Sequence, residues 1–250
     1  MRIRTAMGVI VALFAAVLIG LPSSRSRADD GAVKLFGSPG DVKKMTDADI
    51  ADLQKILSAG KVAKKDAKRA TVLAVVIGLN GQASGNMALN EQAGKVLAAL
   101  ADENTADAKK AAAGLSSASG GGKAVDVVKY LYDNSAKDWD RDLTMQLFKT
   151  PRAGGFGIES KIKKWGEEGV KATDLPAVAS AAQKCAVIGA AAEKMEPPPN
   201  KKNEKADWTK YAKDLQTAAT AAINAKDPKS AKTAIDQMDK ACTACHEKFK

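Results

Sequence analysis

From Thr46 onward the apolar residues of this chain recur three and four positions apart, a period that fits helices and not strands. Leu175, Val178, Ala182, Cys185, Ile188, Ala192 and Met195 form the longest such stripe. The chain is 45% apolar but only 4% aromatic, so any core must be built mainly from Ala, Val, Leu and Ile. Small side chains suit closely packed helices, and Ala is the strongest helix former. No run of alternating β-branched residues competes, so an all-α fold is expected. At 250 residues the chain is long enough for one or two cores.

Gly, Pro and capping residues divide the helical pattern. Residues 29–44, with Gly37-Ser38-Pro39-Gly40, read as an irregular lead-in. A first helix is predicted from Thr46 or Asp47 to Gly60, carrying Ile50, Leu53, Ile56 and Leu57 inward. Helices over 62–79 and 87–100 follow, the first stopped by Asn80-Gly81, and a fourth runs from Thr105 to Gly120-Gly121-Gly122. Four helices with short connections point to an up-and-down bundle. The second half has short helices over 138–148 and 158–165 around a loop at 151–157. A long helix then enters at Asp174-Leu175-Pro176 and stops at Pro197-Pro198-Pro199. The next is marked by Trp208, Tyr211, Leu215 and Ala219, and the last is capped at Asp227-Pro228.

The halves show weak self-similarity. Val76-Ile77-Gly78 matches Val187-Ile188-Gly189, and 93–115 matches 212–238. That register sets Ser119, Gly122 and Lys123 against Cys242, Cys245 and His246, so the first half reads either as a degenerate repeat lacking those three residues or as a chance likeness between Ala-rich amphipathic helices.

The first 28 residues differ from the rest. Arg2 and Arg4 precede an apolar run over 6–21, and Ser26-Arg27-Ala28 offers the small residues of a cleavage site. A cleaved secretory signal is expected, with a retained membrane anchor as the rival reading. No other segment is expected to span a membrane. The expected organisation is a signal over 1–28, a helical region over 29–133 and a second helical domain over 134–250, in an exported, periplasmic protein. The net charge of +10 comes from Lys spread over nearly every helix, without arginine clusters or interleaved aromatics, so nucleic-acid binding is not expected. Solvated helix faces explain it, and docking to an acidic redox partner is the sharper alternative.

The chemistry is concentrated in Cys242-Thr243-Ala244-Cys245-His246. C-x-x-C-H outside the cytosol is the attachment signature of c-type haem. On a helix Cys242, Cys245, His246 and Phe249 stand at i, i+3, i+4 and i+7, on one face. Two thiols there can bind one haem c covalently, and His246, the sole histidine, supplies the imidazole for the iron. A disulfide between Cys242 and Cys245 is the plain alternative. Zinc would find three donors, with Cys245 and His246 adjacent and no fourth in view.

A last helix ending in C-x-x-C-H-x-x-aromatic-basic resembles the class II c-type cytochromes, the cytochrome c prime group, over residues 138–250. The resemblance implies a left-handed antiparallel up-and-down four-helix bundle with haem beside the last helix, preceded here by a second helical bundle-like region. It further implies electron transfer or binding of small gases, and homodimers formed through the first two helices. It sets a first-helix residue facing the sixth iron position. Met145, 97 residues before Cys242, stands at a similar spacing, as a ligand or as a core residue beside Leu143 and Leu147. Lys250 stands where the family often has an Arg near a propionate. Cys185 reads as a buried thiol on its helix stripe, and Trp165 and Trp208 as core or haem-edge packing. The leading expectation is a mono-haem electron carrier without enzymatic activity, the alternative a five-coordinate haem protein binding NO or CO.

Overall fold

A computed structural model describes residues 39–59, 62–131 and 141–249; the expected signal over 1–28 and Lys250 lie outside the described residues. Every regular element among the described residues is a helix. These are α1 (Pro39–Ser58), α2 (Lys64–Ala83), α3 (Met87–Ala101), α4 (Thr105–Ala113), α5 (Arg141–Gln146), α6 (Ile158–Glu168), α7 (Leu175–Lys194), α8 (Lys205–Ile223) and α9 (Pro228–Phe249), with short 3-10 turns between some of them.

In the first half each helix packs on the next and α4 returns to α1. From α6 the order repeats: α6 touches α7, α7 packs on α8, α8 on α9, and α9 returns to α6. The short α5 packs on α7. The two sets meet where α1 and α2 lie against α7, and one hydrophobic core runs through both. Leu53, Leu73 and Leu97 contribute to it from the first set, Ile188, Ile235 and Met238 from the second. Ala fills most of the remaining contacts, which lets helix axes approach closely.

Several boundaries differ from expectation, each for a reason of packing. Helix α1 starts at Pro39, about two turns before the predicted Thr46. Val42 and Met45 are buried against Ala179 of α7, a distant contact that rewards those extra turns. Thr46 is therefore inside the helix, its hydroxyl donating to the Val42 carbonyl at 2.7 Å. Helix α2 runs through Asn80-Gly81 instead of stopping there. Gly81 serves close packing: a Cβ on it would stand 2.8 Å from the Asn90 backbone nitrogen in α3. The turn falls at Gly85, which holds φ +73°.

Helix α4 ends at Ala113, well before the triple glycine. The chain then crosses α3 and α2, Val125 covering Gly94 and Val127 covering Gly78. Buried Asn90 ties this strap down, accepting from the Val125 N–H at 2.7 Å and donating to the Gly78 carbonyl at 3.0 Å. Ser119, Gly122 and Lys123 thus lie outside any helix, whereas α9 stays helical through Cys242, Cys245 and His246. The expectation that no segment beyond the leader could span a membrane needs one correction. The stretch Ala172–Lys194 is long and apolar enough to cross one, and most of it is buried in the protein interior.

Candidate haem-attachment site

Helix α9 is started by Asp227. Its Oδ1 accepts from the backbone N–H groups of Lys229 and Ser230, both at 2.9 Å, and Pro228 occupies the first helical position. These bonds hold the Asp227 carboxyl below its ordinary value of 3.8. Ala231, Ala234, Ile235, Met238 and Ala241 form the buried stripe, and Cys242 continues it at partial burial. Cys245 is also partly buried, whereas His246 is exposed. The helix therefore carries its two thiols on the flank of the core and its imidazole at the surface.

All three cysteines are free thiols, so no disulfide joins Cys242 to Cys245. Burial pushes the Cys242 thiol up to about 12; the negative charges of Asp239 and Glu159 and the nearby Cys245 act in the same direction. Burial also raises the Cys245 thiol. Cys185, fully buried on α7, is raised well above its usual range by burial, with Cys242 adding to the effect. Fold contacts thus gather the three thiols toward one region where α7 and α9 meet.

The end of α9 is braced on α8. Phe249 meets Trp208 edge-on at 5.2 Å between ring centroids and Tyr211 at 6.2 Å. Lys248 pairs with Glu204 at 3.2 Å and with Asp207. Trp208 is buried and donates its indole N–H to the Ala192 carbonyl of α7 at 2.7 Å, so it joins α7 to α8. Trp165 is buried on α6, the helix that packs along α9. Met145 is half-buried on α5, whose neighbour is α7.

Among the described residues no group of three or more His, Cys, Asp or Glu side chains could hold a bare metal ion. Haem needs only one or two protein ligands, and here the donors suit it: two unbridged thiols one turn apart and the imidazole beside them. A cleft of about 300 Å³ lined by Gln54, Leu57, Lys109 and Ala112 lies in the first half, away from these donors.

Two acidic neighbours were not among the predicted site residues. Asp239 is three positions before Cys242, and helical spacing alone could have found it. Glu159 reaches Cys242 only because α6 packs on α9, for which no local signal exists. No known family model, curated protein or solved structure matches the chain.

Proposed function

We propose that this chain is an exported mono-haem c-type cytochrome that carries electrons, with α6–α9 forming an antiparallel up-and-down four-helix bundle of the cytochrome c prime kind. One observation carries the reading. The only histidine stands exposed beside two free thiols, one turn apart on the flank of a helix whose buried stripe is locked into the core. The leader supports export, and the contact order α6–α7–α8–α9–α6 is the order such a bundle requires.

Cys242 and Cys245 would hold the haem through thioethers and His246 would ligate its iron. When bound, the group supplies a one-electron couple at the iron. The chain's own part is rigidity. Asp227 fixes the start of α9, the Ala231 to Ala241 stripe fixes its length, and Phe249 with Lys248 fixes its end. A helix pinned at three places changes little when the charge beside it changes, which favours fast electron transfer. Exposed His246 sets the ligand near the protein surface, within reach of a partner, and the Lys-rich exterior favours an acidic one.

A second reading, a five-coordinate haem protein that binds NO or CO, draws on α6. The helix beside α9 turns Ile158, Ile162 and Trp165 inward, none of them an iron ligand, whereas Met145 belongs to α5. Ligation by Met145 fits the electron carrier; an apolar sixth side fits the gas binder.

Expression with haem-attachment machinery tests the proposal. The wild type should give a red protein with the pyridine haemochrome of two thioethers, and Cys242→Ala one with a single thioether. Colourless wild type would end it. Carbon monoxide then separates the readings: a reduced spectrum that ignores the gas supports six-coordination, and one that shifts at once supports the open site.

A further inference from the structure

Helix α7 is buried on all sides over residues 181–192, and one of those sides belongs to the first helical set. That contact is built from specific polar pairs as well as apolar packing. Lys184, 8% exposed at its side chain, donates to Asp49 of α1 at 2.7 Å and to the hydroxyl of Ser180 at 2.9 Å. The Asp49 side chain is 4% exposed. Three residues before Asp49 on α1, Thr46 joins Asn80 of α2 in a second cluster with Gln183. Asn80 donates to Thr46 at 3.1 Å and to Gln183 at 3.4 Å, and Gln183 returns a bond to Asn80 at 3.1 Å. All three are at least 95% buried. Val42 and Met45 of α1 close over Ala179 of α7. Below them Phe156, from the loop before α6, lies between two cations, Arg69 of α2 at 5.5 Å and Lys184 at 5.9 Å.

A buried Lys left without its Asp, or a buried Gln without its Asn, is strongly unfavourable, so the pairs penalise any packing of the two sets in another register, and separation would expose Val42, Met45 and Ala179 to water. Each pair takes one member from each set. The same helix order closes both sets on themselves, so the arrangement is that of two like units joined face to face within one chain.

We propose that α1–α4 is a built-in partner subunit for α6–α9. The two sets fold as a single cooperative unit across the α1/α2–α7 seam, with Asp49–Lys184 and Thr46–Asn80–Gln183 fixing their register. The α7 face of the second set is thereby closed to a second copy of the chain. The first set supplies a fixed neighbour and no ligand. The inference rests on packing alone and holds whether or not α9 carries haem.

The mature full-length chain allows a direct test, because its three tryptophans, Trp139, Trp165 and Trp208, all follow the first set. With Trp139→Phe as the background, tryptophan emission reports the second set through Trp165 and Trp208, and far-ultraviolet circular dichroism reports both. Leu97→Ala cuts into the core of the first set in α3, away from the seam. In urea both probes should move together to a lower midpoint in one transition. Val96→Ala is the milder substitute and should give the same coincidence. An emission midpoint that stays at the wild-type value while circular dichroism splits into two steps would overturn the proposal. At the seam, Lys184→Met should raise the unfolding constant read by both probes by a hundredfold or more, as expected for a buried carboxylate stripped of its partner, roughly 3 kcal/mol or above. Asp49→Leu combined with Lys184→Met should recover most of that loss. Equal stability of wild type and Lys184→Met would also overturn it.

Discussion

At pH 8 the Cys242 thiol of the haem-free chain should react with a maleimide at least about 30-fold more slowly in native buffer than in urea. The magnitude follows from its surroundings. Burial, together with Asp239, Cys245 and Glu159, raises this thiol from 9.0 to about 12, which cuts the thiolate fraction at pH 8 by about a thousandfold. A more basic thiolate is a better nucleophile, and with a Brønsted slope of about 0.4–0.5 this returns roughly 20- to 30-fold. About 30- to 50-fold of slowing is left before steric shielding is counted. Timed labelling read residue by residue from peptide masses measures it, with fully buried Cys185 as the slow internal control. Cys245, less deeply set, should label ahead of Cys242. Native labelling of Cys242 within threefold of its rate in urea would refute the reasoning, because it would place the thiol in water and α9 off the core. The result bears on the proposed function: a thiol so weakly ionised would have to acquire a thioether before α9 docks.

Other consequences can be checked on the same chain. Because Asp227 is held below 3.8 by the backbone it caps, its stabilisation is complete above that pH and is lost as pH falls through the lowered value, so the stability difference between wild type and Asp227→Asn in urea titrations should shrink from pH 7 to pH 3. Gly155→Ala would drive a Cβ into the carbonyl oxygens of Lys149 and Gln146; a thermal melt should show a loss of about 1–3 kcal/mol or more, and an unchanged melting temperature would refute that close approach. Phe249→Ala removes two edge-on ring contacts worth about 0.5–1.5 kcal/mol each, and should speed amide exchange in the last turn of α9 while leaving α2 unaffected.

How much of this was legible in the sequence depends on the range of the interactions. The stripe from Leu175 to Met195 and the cap at Asp227-Pro228 are local patterns, and α7 and α9 begin close to where those patterns place them. The motif was legible for the same reason, since three donors within five residues need only a helix to share a flank. Asn80-Gly81 misled because the dipeptide that usually turns a chain is used here for contact, Gly81 against α3 and Asn80 against Gln183. Residues 39–45 are helical because α7 covers Val42 and Met45, a dependence on sequence more than a hundred positions away. The likeness between Val76-Ile77-Gly78 and Val187-Ile188-Gly189 falls on α2 and α7, the second helices of their sets. The register drawn from that likeness does not hold over Ser119 to Lys123, because α4 has ended at Ala113 and the chain continues there as a strap. Glu159 and the Asp49–Lys184 pair have no local signature, since each exists only once helices distant in sequence are packed.

The central claim is a single haem bound to Cys242 and Cys245 of the terminal helix. Peptide mapping of the exported protein after acid-acetone extraction tests it most directly. The account predicts one peptide containing both residues that keeps one haem mass and leaves neither thiol open to alkylation, with Cys185 alkylated only after unfolding. Recovery of that peptide with both cysteines alkylated, or joined to each other, would contradict it.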